Sequence, residues 1–393
     1  MMKPKYLAVV TAMVLSAGAQ AASVNNVAEM FQQGSVKLDA NLRYENVQQD
    51  NALKDADALT LRTRLTFETA ELHGFSALLE FEDSRDLFGI NDYSDGTGNG
   101  TDYSVIADPN TTEVDQAAIR YSHQMGKVTV GRQVVALDNQ RFVGHVGWRQ
   151  DRQTFDAVNL LLTPMADLSL NYIYINQRNR IFGDEQDIDA NDHLFNLGYQ
   201  TDFGKLSGYA YLLDNDKVEN DDLNTYGVRF AGASKMSDIK LNYQLEYATQ
   251  ENEANDADTD YYLVEVGAGM GAFGAKVGYE VLGSDNGKVG FSTPLATLHK
   301  FNGWTDTFLG TPDQGLQDLY VGLTAKTGYG AFAAVYHDFS SDYGSIDYGS
   351  EVDLQFTTKF GKHYNAGIKY AMYDADDFSV DTDKLWVWVG ASF

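Results

Sequence analysis

Hydrophobic and polar residues alternate one by one over long stretches of this chain. Val36, Leu38, Ala40, Leu42 and Tyr44 oppose Lys37, Asp39, Asn41, Arg43 and Glu45. Successive side chains of a strand point to opposite faces, so this period predicts strands with one apolar and one polar face. The pattern returns in Ile239, Leu241, Tyr243, Leu245 and Tyr247 against Lys240, Asn242, Gln244 and Glu246. It returns again in Val352, Leu354, Phe356 and Phe360 against Glu351, Asp353, Gln355 and Lys359. In the last ten residues, Leu385, Val387, Val389, Ala391 and Phe393 face away from Lys384, Trp386, Trp388, Gly390 and Ser392. The facing of Thr154 to Leu162 is ambiguous. A soluble sandwich has the same period, so alternation alone does not choose between a sandwich and a membrane barrel.

Connector length does choose, because short and long connectors alternate. The short ones are Glu71 to Gly74, Gln124 to Gly126, Pro164 to Asp167, Asp202 to Gly204, Ser234 to Asp238, Gly269 to Ala272, Thr327 to Gly330 and Gly361 to Tyr364. Between them lie longer polar segments, notably Leu87 to Thr112, Val134 to Arg152, Asn179 to Ala190 and Gly283 to Gly315. Tight periplasmic turns and long outer loops mark outer-membrane barrels, and nothing in a sandwich requires them. The connectors divide the chain into about eighteen strands, an even number that returns both ends to the same side. The predicted fold is an all-β transmembrane antiparallel barrel with an inward-folded constriction loop.

Tyr44, Tyr121, Tyr199, Tyr247, Tyr279 and Tyr370 lie near predicted strand ends, where an aromatic ring can sit in lipid with its hydroxyl in water. Lys3 and Lys5, an apolar stretch from Tyr6 to Leu15 and the small-residue site Ala19-Gln20-Ala21 form a secretory signal peptide, residues 1–21. Residues 22–34 then form a short periplasmic segment, with room for a turn of helix, and 35–393 the barrel. No later run reaches the roughly 18 apolar residues of a transmembrane helix. A membrane must therefore be crossed by strands.

Composition removes several alternatives. The chain has no cysteine, which excludes disulfides, thiol nucleophiles and cysteine-zinc sites. A formal charge of -27 excludes a nucleic-acid partner, since phosphate binding needs a basic face. Acidic residues crowd into Asp184 to Asp192, Asp214 to Asp222, Glu251 to Asp260 and Asp374 to Asp383, which reads as solvated loop tips or as cation bridges to lipopolysaccharide phosphates. Gly269 to Gly274 matches a dinucleotide fingerprint, yet Phe273, Ala275, Val277 and Tyr279 continue as a strand where that fingerprint requires a helix. Gly283 to Lys288 misses a phosphate loop by one residue and lacks the following Ser or Thr. The seven histidines show no metal spacing, and no residue pattern selects a catalytic triad. No catalytic residue, cofactor or metal ligand is assigned.

One segment stands out chemically. Arg132, Arg141, Arg149 and Arg152 fall within a short stretch of a strongly acidic chain, together with Phe142, Val143, Val146 and Trp148. An outer loop in water has little reason to carry those apolar side chains, so the segment is expected to fold into the barrel. Guanidinium groups there would attract carboxylates, the more so in a poorly hydrated constriction. The alternative is that the arginines pair with Asp138, Asp151 and Asp156 to hold the loop. Elsewhere the predicted inner face mixes Arg43, Arg62, Arg64, Arg120, Arg178 and Arg229 with Asp39, Glu80, Glu82, Glu265, Glu280 and Glu351, as a hydrated wall does.

Gly131 to Val158, with Leu137-Asp138-Asn139-Gln140-Arg141-Phe142 and Gly147-Trp148-Arg149-Gln150, resembles a signature of the alginate-export family of outer-membrane porins. Thr293 to Trp304, containing His299 and Lys300, is similar to a second segment of the same family. The resemblance implies an eighteen-stranded single-chain barrel in the Gram-negative outer membrane, with inward loops and an arginine-lined path for uronate-type saccharides. Arg132, Arg141, Arg149, Arg152 and Lys300 would line that path by position, with Asp138 and Trp148 beside them. The terminal strand ending in Phe393 looks like the signal read by the barrel-assembly machinery. Expected partners are therefore outer-membrane lipid and lipopolysaccharide, that machinery, and an anionic saccharide solute. The chain is shorter than a dedicated exporter and its loops are modest, which favours passive diffusion over polymer export. Two competing readings are a structural or surface-binding barrel with cation-binding acidic loops, and a hydrolase at the barrel rim.

Overall fold

The computed structural model describes residues 24–215, 218 and 221–393. The expected signal peptide lies outside them, as does part of the Asp214 to Asp222 cluster. A short helix, α1 (Val27–Gln32), starts at Asn26, whose side chain accepts from the Glu29 N–H at 3.0 Å. The chain then runs through β1 (Ser35–Gln49), β2 (Ala56–Glu68), β3 (Phe75–Asp92), β4 (Thr111–His123), β5 (Gly126–Gln133) and β6 (Thr154–Met165). Next come β7 (Leu168–Asn179), β8 (Ile188–Gln200), β9 (Lys205–Leu213), β10 (Leu223–Met236), β11 (Ile239–Asn252) and β12 (Ala257–Met270). The last six are β13 (Phe273–Leu282), β14 (Leu316–Lys326), β15 (Ala331–Ser340), β16 (Asp347–Phe360), β17 (Tyr364–Ala375) and β18 (Thr382–Ser392).

All neighbours are antiparallel, and β1 pairs with β2 on one side and β18 on the other, so the 18-stranded sheet has no free edge. Phe393 completes the seam: its N–H donates to Leu38 O at 2.9 Å and its carbonyl accepts from Leu38 N at 3.1 Å. Each tight connector expected from the sequence joins an even-numbered strand to the next odd one. In the Gly269 to Gly274 segment, Gly271 takes φ +58 between β12 and β13, so the glycines serve a hairpin and no helix follows.

The wall is inverted relative to a soluble protein. On β11, Leu245 and Tyr247 are 49% and 43% exposed while Glu246 between them is 6% exposed. Only a lipid exterior makes that favourable, because an Arg or Lys on the outer face costs about 2–4 kcal/mol at the bilayer midplane. Several outward tyrosines bond across to the next strand: Tyr247 Oη donates to Asp260 at 2.9 Å, Tyr279 to Gln317 at 2.8 Å and Tyr370 to Asp383 at 2.6 Å. Tyr44 does the same to Asp57. These form an extracellular girdle, while Tyr121 and Tyr199 lie at the opposite strand ends.

The ambiguous β6 has a physical cause. Odd positions face inward and even ones outward, so Phe155 and Ala157 are buried while Val158 and Leu162 face outward; apolar residues at inward positions and Asp156 at an outward one blur the pattern in the sequence.

Candidate functional site

Three long connectors turn into the barrel: the β3–β4 loop (93–110), the β5–β6 loop (134–153) and the β13–β14 loop (283–315). The second and third meet edge to edge. Val143 and Leu295 form a parallel bridge, Gly144 N donates to Leu295 O at 2.7 Å, and Thr297 N donates to Gln140 O at 3.1 Å. Phe142 drives this contact from the apolar side, with its ring 5.2 Å from Tyr261, 5.3 Å from Tyr209 and 5.9 Å from Phe291. The inward fold inferred from Phe142, Val143 and Trp148 is thus what these side chains produce.

Arginines tie the loops to the wall. Arg149 Nη1 donates to both Glu45 oxygens at 3.2 Å, and its Nη2 to Asp306 Oδ2 at 3.0 Å, joining β1, the β5–β6 loop and the β13–β14 loop. Arg43 reaches Asp108 and the Trp148 carbonyl. Arg141 donates to Glu280 Oε1 at 2.7 Å, Asn302 Oδ1 at 2.9 Å and Thr293 Oγ1 at 3.2 Å, with its guanidinium 4.9 Å from the Phe301 ring. Gln150 spans three elements, since its N–H donates to Asp108 at 2.9 Å and its Nε2 to Thr60 Oγ1 at 2.8 Å, while Oε1 accepts from Asn41 at 3.2 Å. Arg43, Arg141 and Arg149 are buried. Their charge is consumed by carboxylates, so they anchor the constriction and offer no solvent face.

All four tryptophans of the chain gather beside this anchor. Trp148 stacks on His299 with ring centres 4.7 Å apart and meets Trp386 and Trp388 edge-on at 5.8 and 5.6 Å. Lys369 Nζ lies 3.7 Å from the Trp304 ring centre and 4.3 Å from that of Trp148. Sequence reading placed Trp386 and Trp388 on the polar face of the last strand without giving them a role. Two indoles on a face that should meet water were the signal that something covers it.

His299 is held between Asp306, 2.6 Å from Nδ1, and Lys369, 2.7 Å from Nε2. A carboxylate only accepts and an ammonium only donates, so the ring is neutral, with its proton on Nδ1. Burial pushes its pKa down to about 3, against the opposing pull of Asp306. Burial would raise the Asp306 carboxyl, but His299, Lys384 and Arg149 hold it well below the usual range. Because both groups are depressed in the docked loop, docking is fully stable above the free imidazole value near 6.5. It weakens as pH falls toward 3, and by about 3 kcal/mol at pH 4. Tryptophan emission is expected to shift red between pH 7 and 4, and a flat profile would show that His299 is not enclosed.

The remaining predicted site residues separate. Arg62 pairs with Asp39 at 2.5 Å, Arg64 with Glu82, Arg120 with Glu68, and Arg152 with Glu80 and, at 2.7 Å, Asp115, all on the inner face. Asp138 takes Lys205, Asn196 and Ser207 at 2.7–2.9 Å, not an arginine. Of the three expected carboxylate partners, Asp156 alone takes one, Arg132, at 2.8 Å. The register corrects the position of that arginine. Arg132 is paired with Ala117 two residues along from the outward pair Val130 and Ile119, so alternation puts it on the outer face near the extracellular rim, away from the lumen. Lys300 is exposed and donates to Asn139 O at 2.7 Å.

Comparison with known proteins agrees with this geometry. Residues 32–285 match the family described as alginate export. No curated protein matches the sequence. Among solved structures, OccK9 (OpdG) of Pseudomonas aeruginosa is 12% identical with a TM-score of 0.74, over 93% of this chain and 99% of that one. OpdK of the same organism, solved with vanillate, is 14% identical with a TM-score of 0.72 over 93% and 99%. OccAB4 of Acinetobacter baumannii is 14% identical with a TM-score of 0.73 over 92% and 98%. At these identities the likeness is one of fold.

Proposed function

Because the chain belongs to the alginate-export family and is built as an outer-membrane barrel of porin type, we propose that it is a passive channel favouring anionic saccharides, uronate-type sugars among them. The observation that carries this reading is a group of cations on the inner wall and on the β13–β14 loop. Enclosure within the barrel, although its side chain still reaches solvent, and then the neighbouring Arg229 and Lys276 hold the Lys300 ammonium below its ordinary pKa. Such crowding is relieved by an incoming carboxylate. Lys276 is answered by Glu265 at 2.8 Å and Arg229 by Gln244 at 2.7 Å and Glu246 at 3.4 Å, whereas Lys300 donates to a backbone carbonyl and lies beside the Phe301 ring, with no carboxylate paired to it among the described residues. The buried arginines shape the gap, and the more exposed cations meet the solute. OpdK, of the same fold, was solved with vanillate, a small carboxylate, which supports the choice of an anion.

Transport of this kind uses only the solute gradient: attraction into the narrows, weak binding at several sites, and release. Reversing one charge about 6 Å from a passing ion in water changes its energy by about 1.4 kcal/mol, a factor of roughly ten in relative permeability. Lys300→Glu is therefore expected to move the reversal potential of the purified barrel in a salt gradient toward cations. Uptake of glucuronate into barrel-containing vesicles should fall with it. An unchanged potential would remove Lys300 from the path.

A second reading has its own support. The β5–β6 and β13–β14 loops bury a continuous apolar cluster with the wall that includes Phe142, Phe291, Phe308 and Tyr348, as in a barrel that is plugged and serves as a structural or surface-binding element. Planar-bilayer recording separates the two, because a folded barrel that passes no current is a plug.

A further inference from the structure

We propose that the barrel holds a divalent cation, calcium or magnesium, between Glu82 on β3, Glu113 on β4 and Asp151 of the β5–β6 loop, clamping that loop to the wall. One carboxylate oxygen from each residue lies within 4.8 Å of those of the other two. Glu82 and Glu113 face each other directly across the β3–β4 ladder, an arrangement that ordinarily costs stability. Asp151 descends onto the pair from the loop. It is fully buried, and neither of its oxygens has a hydrogen-bond partner. A buried carboxylate left without a donor is costly, and a group aimed at two further carboxylates has no protein cation to meet.

The local charge count points the same way. Glu80, Glu82, Asp115, Glu113 and Asp151 share this part of the wall, and the two guanidinium groups beside them, Arg64 and Arg152, pair with Glu80, Glu82 and Asp115. Among the described residues no ion pair reaches Glu113 or Asp151. Two register positions along, on the same face, the Ser84 and Thr111 hydroxyls face each other, also buried and without partners. A donor set of three carboxylates suits a hard cation, with water completing the shell toward the two hydroxyls. Glu113 also borders a polar cavity of about 300 Å³ under the β3–β4 loop, lined by Asp95, Asn99 and Asp184, which gives a route from the extracellular mouth.

The test is calcium titration by calorimetry of the folded, chelator-stripped barrel in detergent, repeated with magnesium, for the wild type, Asp151→Asn and Glu113→Gln. Heat-modifiable gel mobility certifies that each protein is folded. The acidic outer loops contribute the same background to all three. The wild type is expected to bind one equivalent more than either variant, with a Kd on the order of 10⁻⁵ M, and calcium should raise its unfolding temperature more than theirs. Identical titrations would overturn the site. So would variants that are more stable than a wild type that binds nothing, since Glu113 and Asp151 would then be sharing a proton. If Asp151→Asn does not fold, Glu113→Gln decides alone.

Discussion

Arg149→Ala is expected to release the β5–β6 loop, raising single-channel conductance and its noise, while the barrel stays closed. Arg149 is buried and spans Glu45 on β1 and Asp306 on the β13–β14 loop. Its removal leaves Arg43 and Lys384 to answer Glu45, Asp108 and Asp306. Removing one partner of a buried ion pair costs about 3–5 kcal/mol, because the other charges stay behind without compensation. The loss falls on loop docking and not on the sheet, whose 18 strands pair independently of the loop. Arg149→Lys keeps the charge but loses the two-pronged fit to Glu45, so an intermediate conductance is expected. A current identical to wild type in Arg149→Ala would mean that the loop does not narrow the path.

Trp148→Ala should have an effect of similar size by a different physical route. The indole stacks on His299, meets two further tryptophans edge-on, and lies under both Arg43 at 5.2 Å and Lys369 at 4.3 Å. Truncating a large aromatic in such packing costs about 3–5 kcal/mol, including the cavity left behind. Because every tryptophan of the chain sits at this locus, near-UV circular dichroism reports it directly. Most of the tryptophan signal is expected to vanish in Trp148→Ala while far-UV strand content is kept. Retention of the wild-type near-UV spectrum would show that the four rings are not assembled around one another.

Much of the architecture was legible beforehand because a barrel in lipid is a local code. The side-chain period of Val36 to Glu45 and the tight connectors such as Gln124 to Gly126 each carry their meaning within a few residues. The site was legible only in part. Arg141, Arg149 and Trp148 were singled out as an inward cluster, and they are one. Their burial against Glu280, Glu45 and His299 could not be read, since each partner is more than 100 residues away. Arg132 was grouped with them by proximity in the chain, although it lies at the end of β5, where alternation continues and turns it outward.

The sequence by itself determined the closed cylinder, because in a bilayer each strand's facing follows from its own apolar period and the lipid penalises any other choice. It also determined that the Val134 to Arg152 segment folds inward, since its apolar side chains have no place in outer water. Only the tertiary structure decided which arginines are spent as anchors and which cations are left without a carboxylate partner. It likewise brought Lys369 and His299 into a tryptophan box, and Glu82, Glu113 and Asp151 onto one point. Those outcomes depend on loops from distant parts of the chain meeting inside the barrel, where a charge is open or consumed according to its neighbours in space.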